Sequence, residues 1–101
     1  MGNYTLFIHE AFEKVYEKLD TSEKVWVESI KIKLKENPSG KILRYSWLRE
    51  KRYLNKRLYY LVDEENKKIL ILAFGSKKEQ SETIFIILNQ MKDLLEYLKQ
   101  C

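Results

Sequence analysis

Cysteine, histidine, proline and glycine are all scarce in this sequence, with one Cys, one His, one Pro and three Gly. A lone cysteine, Cys101, excludes an internal disulfide framework and any cysteine-based zinc cluster. His9 is the only imidazole, so no paired-histidine ligand set exists, and its place at the start of a helical pattern suits a capping or solvated role. Three scattered glycines cannot build a Gly-rich phosphate loop, and no serine stands in a nucleophile-elbow context. The acidic residues are spread over helical stretches and one turn, which gives no evident cage for a metal, so neither metal nor cofactor is expected. Long hydrophobic runs are absent as well. The longest, Ile69 to Phe74, is far short of the roughly 20 residues a membrane-spanning helix needs. The opening Met1-Gly2-Asn3-Tyr4-Thr5 lacks the basic start and apolar stretch of a secretory leader, so a cytoplasmic protein with no membrane association is expected.

What is present describes a folded globule. Apolar residues make up 45% and charged residues 34% of 101 residues, a balance that supports a packed core. A chain of this length holds one domain, 1–101, burying roughly 60 to 65% of its unfolded surface. Tyr4 to Ile8 reads as a strand, and Ala11, Phe12, Val15, Tyr16 and Leu19 then recur at helical spacing. Asp20 followed by Glu23 is a capping-box start for a second helix carrying Val25, Trp26, Ile30 and Leu34, and Asn37-Pro38-Ser39-Gly40 stops it. Three strands are expected next, Lys41 to Leu48, Arg57 to Val62 and Lys68 to Phe74, the last two joined antiparallel by Asp63-Glu64-Glu65-Asn66. In the last of them Ile69, Ile71 and Ala73 fall on one face and Leu70, Leu72 and Phe74 on the other, so it belongs inside a sheet. From Lys78 onward Ile84, Ile87, Leu88, Met91, Leu94, Leu95 and Leu98 predict one long final helix. Its apolar surplus allows either plain packing on the sheet or self-association as a homodimer. The expected architecture is α+β, in the order strand, helix, helix, three antiparallel strands, helix, with the helices on one face of a small sheet.

The net charge of +4 is concentrated. Lys41, Arg44, Arg49, Lys51, Arg52, Lys56 and Arg57 are opposed within their stretch by Glu50 alone, which leaves the rest of the chain net negative. Arg49 to Lys56 reads as a cationic connection between strands, and Lys77 and Lys78 follow the last strand. Leu43, Tyr45 and Trp47 share one strand face, and Arg57 shares another with Tyr59 and Leu61, so cations and aromatics interleave. Such a surface suits RNA, because Lys and Arg neutralise phosphates while aromatic rings stack on exposed bases. A solvated edge strand, charged only against aggregation, is the plainer reading. Tyr45 and Trp47 equally suit a core beneath the helices.

Two motifs, together with the order of elements, resemble the RelE/ParE superfamily of type II toxins, and RelE in particular. Lys56-Arg57-Leu58-Tyr59-Tyr60-Leu61-Val62 is similar to that family's strand in which an arginine precedes alternating aliphatic and aromatic residues. Ala73-Phe74-Gly75-Ser76-Lys77-Lys78-Glu79-Gln80 is similar to the glycine and basic pair that end its next strand. The resemblance implies a toxin that enters the ribosome, cleaves messenger RNA without a metal, and is silenced by a cognate antitoxin. It implies that Arg57 and Lys78 hold the scissile phosphate while the RNA 2′-hydroxyl attacks it, cations stabilising the added negative charge. A lysine among other cations would serve as base.

The family's paired strand lysines align with Tyr45 and Trp47, and its tyrosine aligns with Ile84. Arg49, Lys51 and Arg52, on a connection that looks longer than RelE's, are the candidates to replace those lysines, Arg52 and Lys51 in a catalytic role, with Arg44, Arg49, Lys56 and Lys77 as RNA-binding residues. The same departures also fit a toxin that binds without cutting, either a ParE-like topoisomerase inhibitor or a catalytically silent RelE homologue.

Overall fold

The structure is a computed structural model describing residues 3–101, so the reading of Met1 and Gly2 falls outside the described residues. Thr5–Ile8 forms β1, Glu10–Glu17 α1 and Thr21–Glu36 α2. Lys41–Ile42, Leu48–Tyr53, Lys56–Asp63 and Lys68–Ser76 form β2 to β5. A 3₁₀ turn at Lys77–Glu79 leads into α3, Gln80–Asn89, and α4, Met91–Gln100. The strands make one sheet in the order β1-β5-β4-β3-β2. β1 runs parallel to β5, and the other neighbours pair antiparallel.

Local chemistry sets the ends of these elements. His9 caps α1, its Nδ1 accepting from the Ala11 N–H at 3.1 Å. Asp20 and Glu23 form the expected capping box, in which the Asp20 carboxylate accepts from Glu23 N–H and Glu23 Oε1 from Asp20 N–H; such a cap stabilises a helix by about 1 kcal/mol. Asp63 accepts from both the backbone and the side-chain amide of Asn66, closing the β4–β5 turn.

The fold is α+β as expected, but the helices cover both faces of the sheet instead of one. Phe12 of α1 and Val27, Ile30 and Leu34 of α2 pack with Leu58, Tyr60, Val62, Ile69 and Ile71. Ile87 of α3 and Leu94 and Leu98 of α4 pack with Leu48, Tyr59, Leu61, Leu70 and Leu72 on the opposite face. The reason is the doubly apolar β4 and β5, whose alternating side chains both need cover; each buried aliphatic contributes roughly 1.5–3 kcal/mol. β5 lies between β1 and β4, as its composition requires. A register shift between Tyr59 and Tyr60 inverts its alternation near the end. Ala73 therefore joins Leu70 and Leu72, while Phe74 joins Ile69 and Ile71, the reverse of the regular pattern.

Two further expectations are corrected. The strand expected at Lys41 to Leu48 is two, β2 and β3, and most of the expected cationic connection from Arg49 to Lys56 is β3 itself. β3 and β4 are joined by Leu54-Asn55 alone, in a hairpin with Tyr53 opposite Lys56. Two-residue hairpins normally carry Gly, Asn or Asp at the positions needing positive φ, and here Leu54 takes it, at φ 54° and 74% exposed. A side chain in that region is strained. Leu54→Gly is therefore expected to raise stability by about 1 kcal/mol, read as a higher urea midpoint at unchanged slope. The long final helix is also two, breaking at Gln90, whose N–H is shared between the Ile86 and Ile87 carbonyls. The apolar spacing continues through the break without a change of phase, so it leaves no mark in the periodicity.

Candidate functional site

Pairing register decides which cations meet. Arg57 of β4 lies opposite Arg52 of β3 and opposite Gly75 of β5, while Glu50 of β3 lies opposite both Lys41 of β2 and Tyr59 of β4. Alternation then puts Lys41, Glu50, Arg52 and Arg57 on the α3 side of the sheet. They border an open concavity of about 340 Å³, lined by Gly40, Lys41, Glu50, Lys51, Arg52 and Arg57. Like charges directly across a strand pair destabilise it, so the Arg52–Arg57 pairing marks a place where an anion is favoured.

Arg57 and Glu50 are nearly buried, at 7% and 5% exposure. Arg57 Nε stands 3.6 Å from Glu50 Oε2. Its Nη1 donates to the Lys56 carbonyl at 3.1 Å. From α3, the Gln80 amide donates to Glu50 Oε1 at 2.7 Å. Two of Arg57's five donors thus face protein groups, and the rest of the fork remains for a ligand. Arg52 is exposed, with Nε 3.5 Å from the Leu54 carbonyl. The Lys77 N–H donates to the Asn55 carbonyl at 2.8 Å, strapping the 3₁₀ turn to the β3–β4 hairpin. That strap puts the exposed Lys77 and Lys78 at the same end of the sheet as Arg52 and Arg57.

The other basic residues go elsewhere. Lys51, opposite Leu58, alternates toward the α1–α2 face although it borders the concavity. Arg49 also faces that side, and its guanidinium holds the Ser46 and Pro38 carbonyls and Glu64. Lys56 pairs with Glu23 of α2 and stands over the Phe74 ring. Arg44 is exposed in the β2–β3 loop. Tyr45 and Trp47 belong to that loop, stacked nearly parallel at 5.0 Å, with Trp47 packed against the α3–α4 core and Tyr45 facing solvent. Ile84 packs into the same core. Among the described residues no group of three or more His, Cys, Asp or Glu is placed to hold a metal ion. Among the described residues no helix is long and apolar enough to cross a membrane.

Two neighbours of Arg57 were not singled out from the sequence. Glu50 stands out only once β3 is recognised as a strand, and Gln80 only through its contact with Glu50. Gly40 is a third residue shaped by this region. A Cβ there would collide with the Tyr60 hydroxyl and meet the Glu50 carbonyl at 2.8 Å, while that hydroxyl donates to the Ser39 carbonyl. Gly40→Ala is therefore expected to cost about 1–3 kcal/mol in a denaturant titration, by pushing the concavity's wall off the sheet.

Tyr59 lies beneath the site with its hydroxyl buried and without a hydrogen-bond partner among the described residues. Burial, and next the Glu50 carboxylate, push its pKa up to about 12. A raised tyrosine pKa means the folded state holds the proton more tightly. The associated stability is complete below pH 10 and is lost as pH rises from about 10 to about 12. Absorbance titration should show a tyrosine ionising at about pH 12 that is missing in Tyr59→Phe, and that variant should lose Tyr59's part of the alkaline destabilisation.

No protein-family model matches this sequence, and no curated protein matches it. Solved structures do match. The isolated E. coli RelE toxin is 20% identical with a TM-score of 0.65, the likeness covering 83% of this chain and 98% of that one. The toxin–antitoxin complex RelBE2 from Mycobacterium tuberculosis gives 24% identity and a TM-score of 0.65 over 74% of this chain and 99% of that one. The archaeal RelE–RelB complex from Pyrococcus horikoshii gives 17% identity and a TM-score of 0.57 over 74% and 96%. By its helices, its sheet and its similarity to these structures, this chain has the fold of the RelE toxins.

Proposed function

We propose that this chain is the toxin of a type II toxin–antitoxin pair and a metal-independent endonuclease that cuts messenger RNA on the ribosome in the cytoplasm. The observation that carries the reading is the facing pair Arg52 and Arg57, joined by Lys41 around one open concavity. Guanidinium forks match the geometry of a phosphodiester and stabilise the extra charge it gains when a 2′-hydroxyl attacks. Lys77 and Lys78 extend the cationic surface along the path of the RNA backbone. The cognate antitoxin is the expected partner, because two of the similar structures are complexes of a RelE-type toxin with its antitoxin. An antitoxin segment lying over the concavity would neutralise it by charge complementarity.

The test is purified protein added to translating ribosomes. Cut messenger is expected, and Arg57→Lys with Lys78→Ala should reduce cutting by at least 100-fold; intact messenger at high protein concentration would remove this reading. A second reading, a toxin that binds without cutting, is favoured by Ile84, which stands where the family has its tyrosine and is partly buried against the α3–α4 core. Inhibition of gyrase supercoiling with no RNA cleavage would select it.

A further inference from the structure

We infer that Glu50 is the group that accepts the 2′-hydroxyl proton when this site cuts RNA, an assignment that rests on the nuclease reading above. Among the six residues lining the concavity Glu50 is the one carboxylate, between Lys41 on one neighbouring strand and Arg57 on the other. Arginine offers five donors and no acceptor, so Arg52 and Arg57 can hold and stabilise a phosphate but cannot take a proton from the attacking hydroxyl. A carboxylate has about four lone-pair sites. Arg57 and Gln80 approach one oxygen each, Oε2 and Oε1 respectively, which fixes the plane of the group and leaves a further lone-pair site on each oxygen of a residue that lines the concavity.

Position strengthens the assignment. A nearly buried carboxylate beside a phosphate-binding arginine is costly for binding, since it repels the anion the arginine attracts. A group retained for grip alone would be neutral or cationic there. Arg57 touches Glu50 through Nε, so a phosphate held by the remaining donors of the same fork brings the adjacent 2′-hydroxyl toward the carboxylate.

The step balances without a metal. The 2′-O–H bond breaks and its proton passes to a Glu50 carboxylate oxygen. The 2′-oxygen bonds to phosphorus, the bond from phosphorus to the 5′-oxygen breaks, and that oxygen takes a proton from water; the protonated Glu50 then gives its proton to the hydroxide left behind, restoring the carboxylate. The products are a 2′,3′-cyclic phosphate and a 5′-hydroxyl. Gln80 and Arg57 act as positioning residues for the carboxylate, and Arg57 also touches the phosphate.

Glu50→Gln keeps the shape and an oxygen for the Gln80 amide while removing the proton acceptor. In the ribosome assay it should lower the cleavage rate by at least about 100-fold, with binding of a non-cleavable 2′-O-methyl RNA unchanged or tighter because one negative charge is gone. Glu50→Asp, which keeps a carboxylate set back by one methylene, should cut at an intermediate rate and serves as the test should the glutamine variant melt at lower temperature. Undiminished cutting by Glu50→Gln beside an active parent overturns this assignment alone. An equal loss of RNA binding and of cutting also overturns it, leaving Glu50 a structural partner of Arg57. A parent protein that binds RNA and cuts none overturns the nuclease reading and this inference together.

Discussion

Arg57→Met should cost about 3–5 kcal/mol of folding stability, a large share of the roughly 5–15 kcal/mol that holds a domain of this size together. The cause is not the strength of the ion pair, whose closest approach is 3.6 Å, but what remains after one partner is removed. Glu50 would be left nearly buried with its charge opposed only from Lys41's side, and a buried carboxylate without its partner carries most of its desolvation cost uncompensated. The second substitution separates the two effects. Glu50→Leu added to Arg57→Met removes the orphan and should recover most of the lost stability, because a buried ion pair replaced by apolar groups of similar volume is often neutral. Urea titrations of the two single variants and the double variant measure the coupling directly. Equal destabilisation in Arg57→Met and in the double variant would mean that Arg57 is held by packing and not by Glu50.

Arg52→Ala should behave in the opposite way, leaving stability within about 0.5 kcal/mol of the parent while cutting of messenger falls by roughly 100-fold or more. Its guanidinium is exposed and has the Leu54 carbonyl as its hydrogen-bond partner, so little of the fold depends on it. Its place opposite Arg57 gives it direct access to a phosphate bound in the concavity. The salt dependence of single-stranded RNA binding should also become shallower by about 0.7 in log–log slope, the counterion release of one cation. A change of affinity with no change of slope would place Arg52 outside the phosphate contacts.

The parts of the fold that follow from strong local chemistry were legible from residues alone. His9, the Asp20–Glu23 box and the turn from Asp63 to Asn66 each use a side chain to satisfy a nearby backbone group, and such signals do not depend on the rest of the chain. β5 was legible because apolar residues on both faces have one place to go. β3 was obscured by its own composition. Its sequence Leu48-Arg49-Glu50-Lys51-Arg52-Tyr53 is mostly charged, and the hairpin after it uses Leu54 where glycine or asparagine would announce the turn. The cationic residues therefore look like a loop in the sequence, which hides the alternation that separates Glu50 and Arg52 from Arg49 and Lys51. The helices' use of both faces was readable in principle, since a doubly apolar β5 needs two covers. Lys56 and Arg49 illustrate what no one-dimensional reading supplies, because their partners Glu23, Pro38 and Glu64 come from distant positions.

The proposed chemistry requires a phosphodiester to be held where Lys41, Arg52 and Arg57 meet. An NMR titration of isotope-labelled protein with a short 2′-O-methyl single-stranded RNA tests this directly, because the ligand occupies the site without being cut. The Arg57 Nε–H and the amides of Lys41, Glu50 to Arg52, and Gly75 to Gln80 should shift together on one binding curve. Shifts confined to α2 or to the loop around Tyr45, with the Arg57 signal unmoved at saturation, would contradict it.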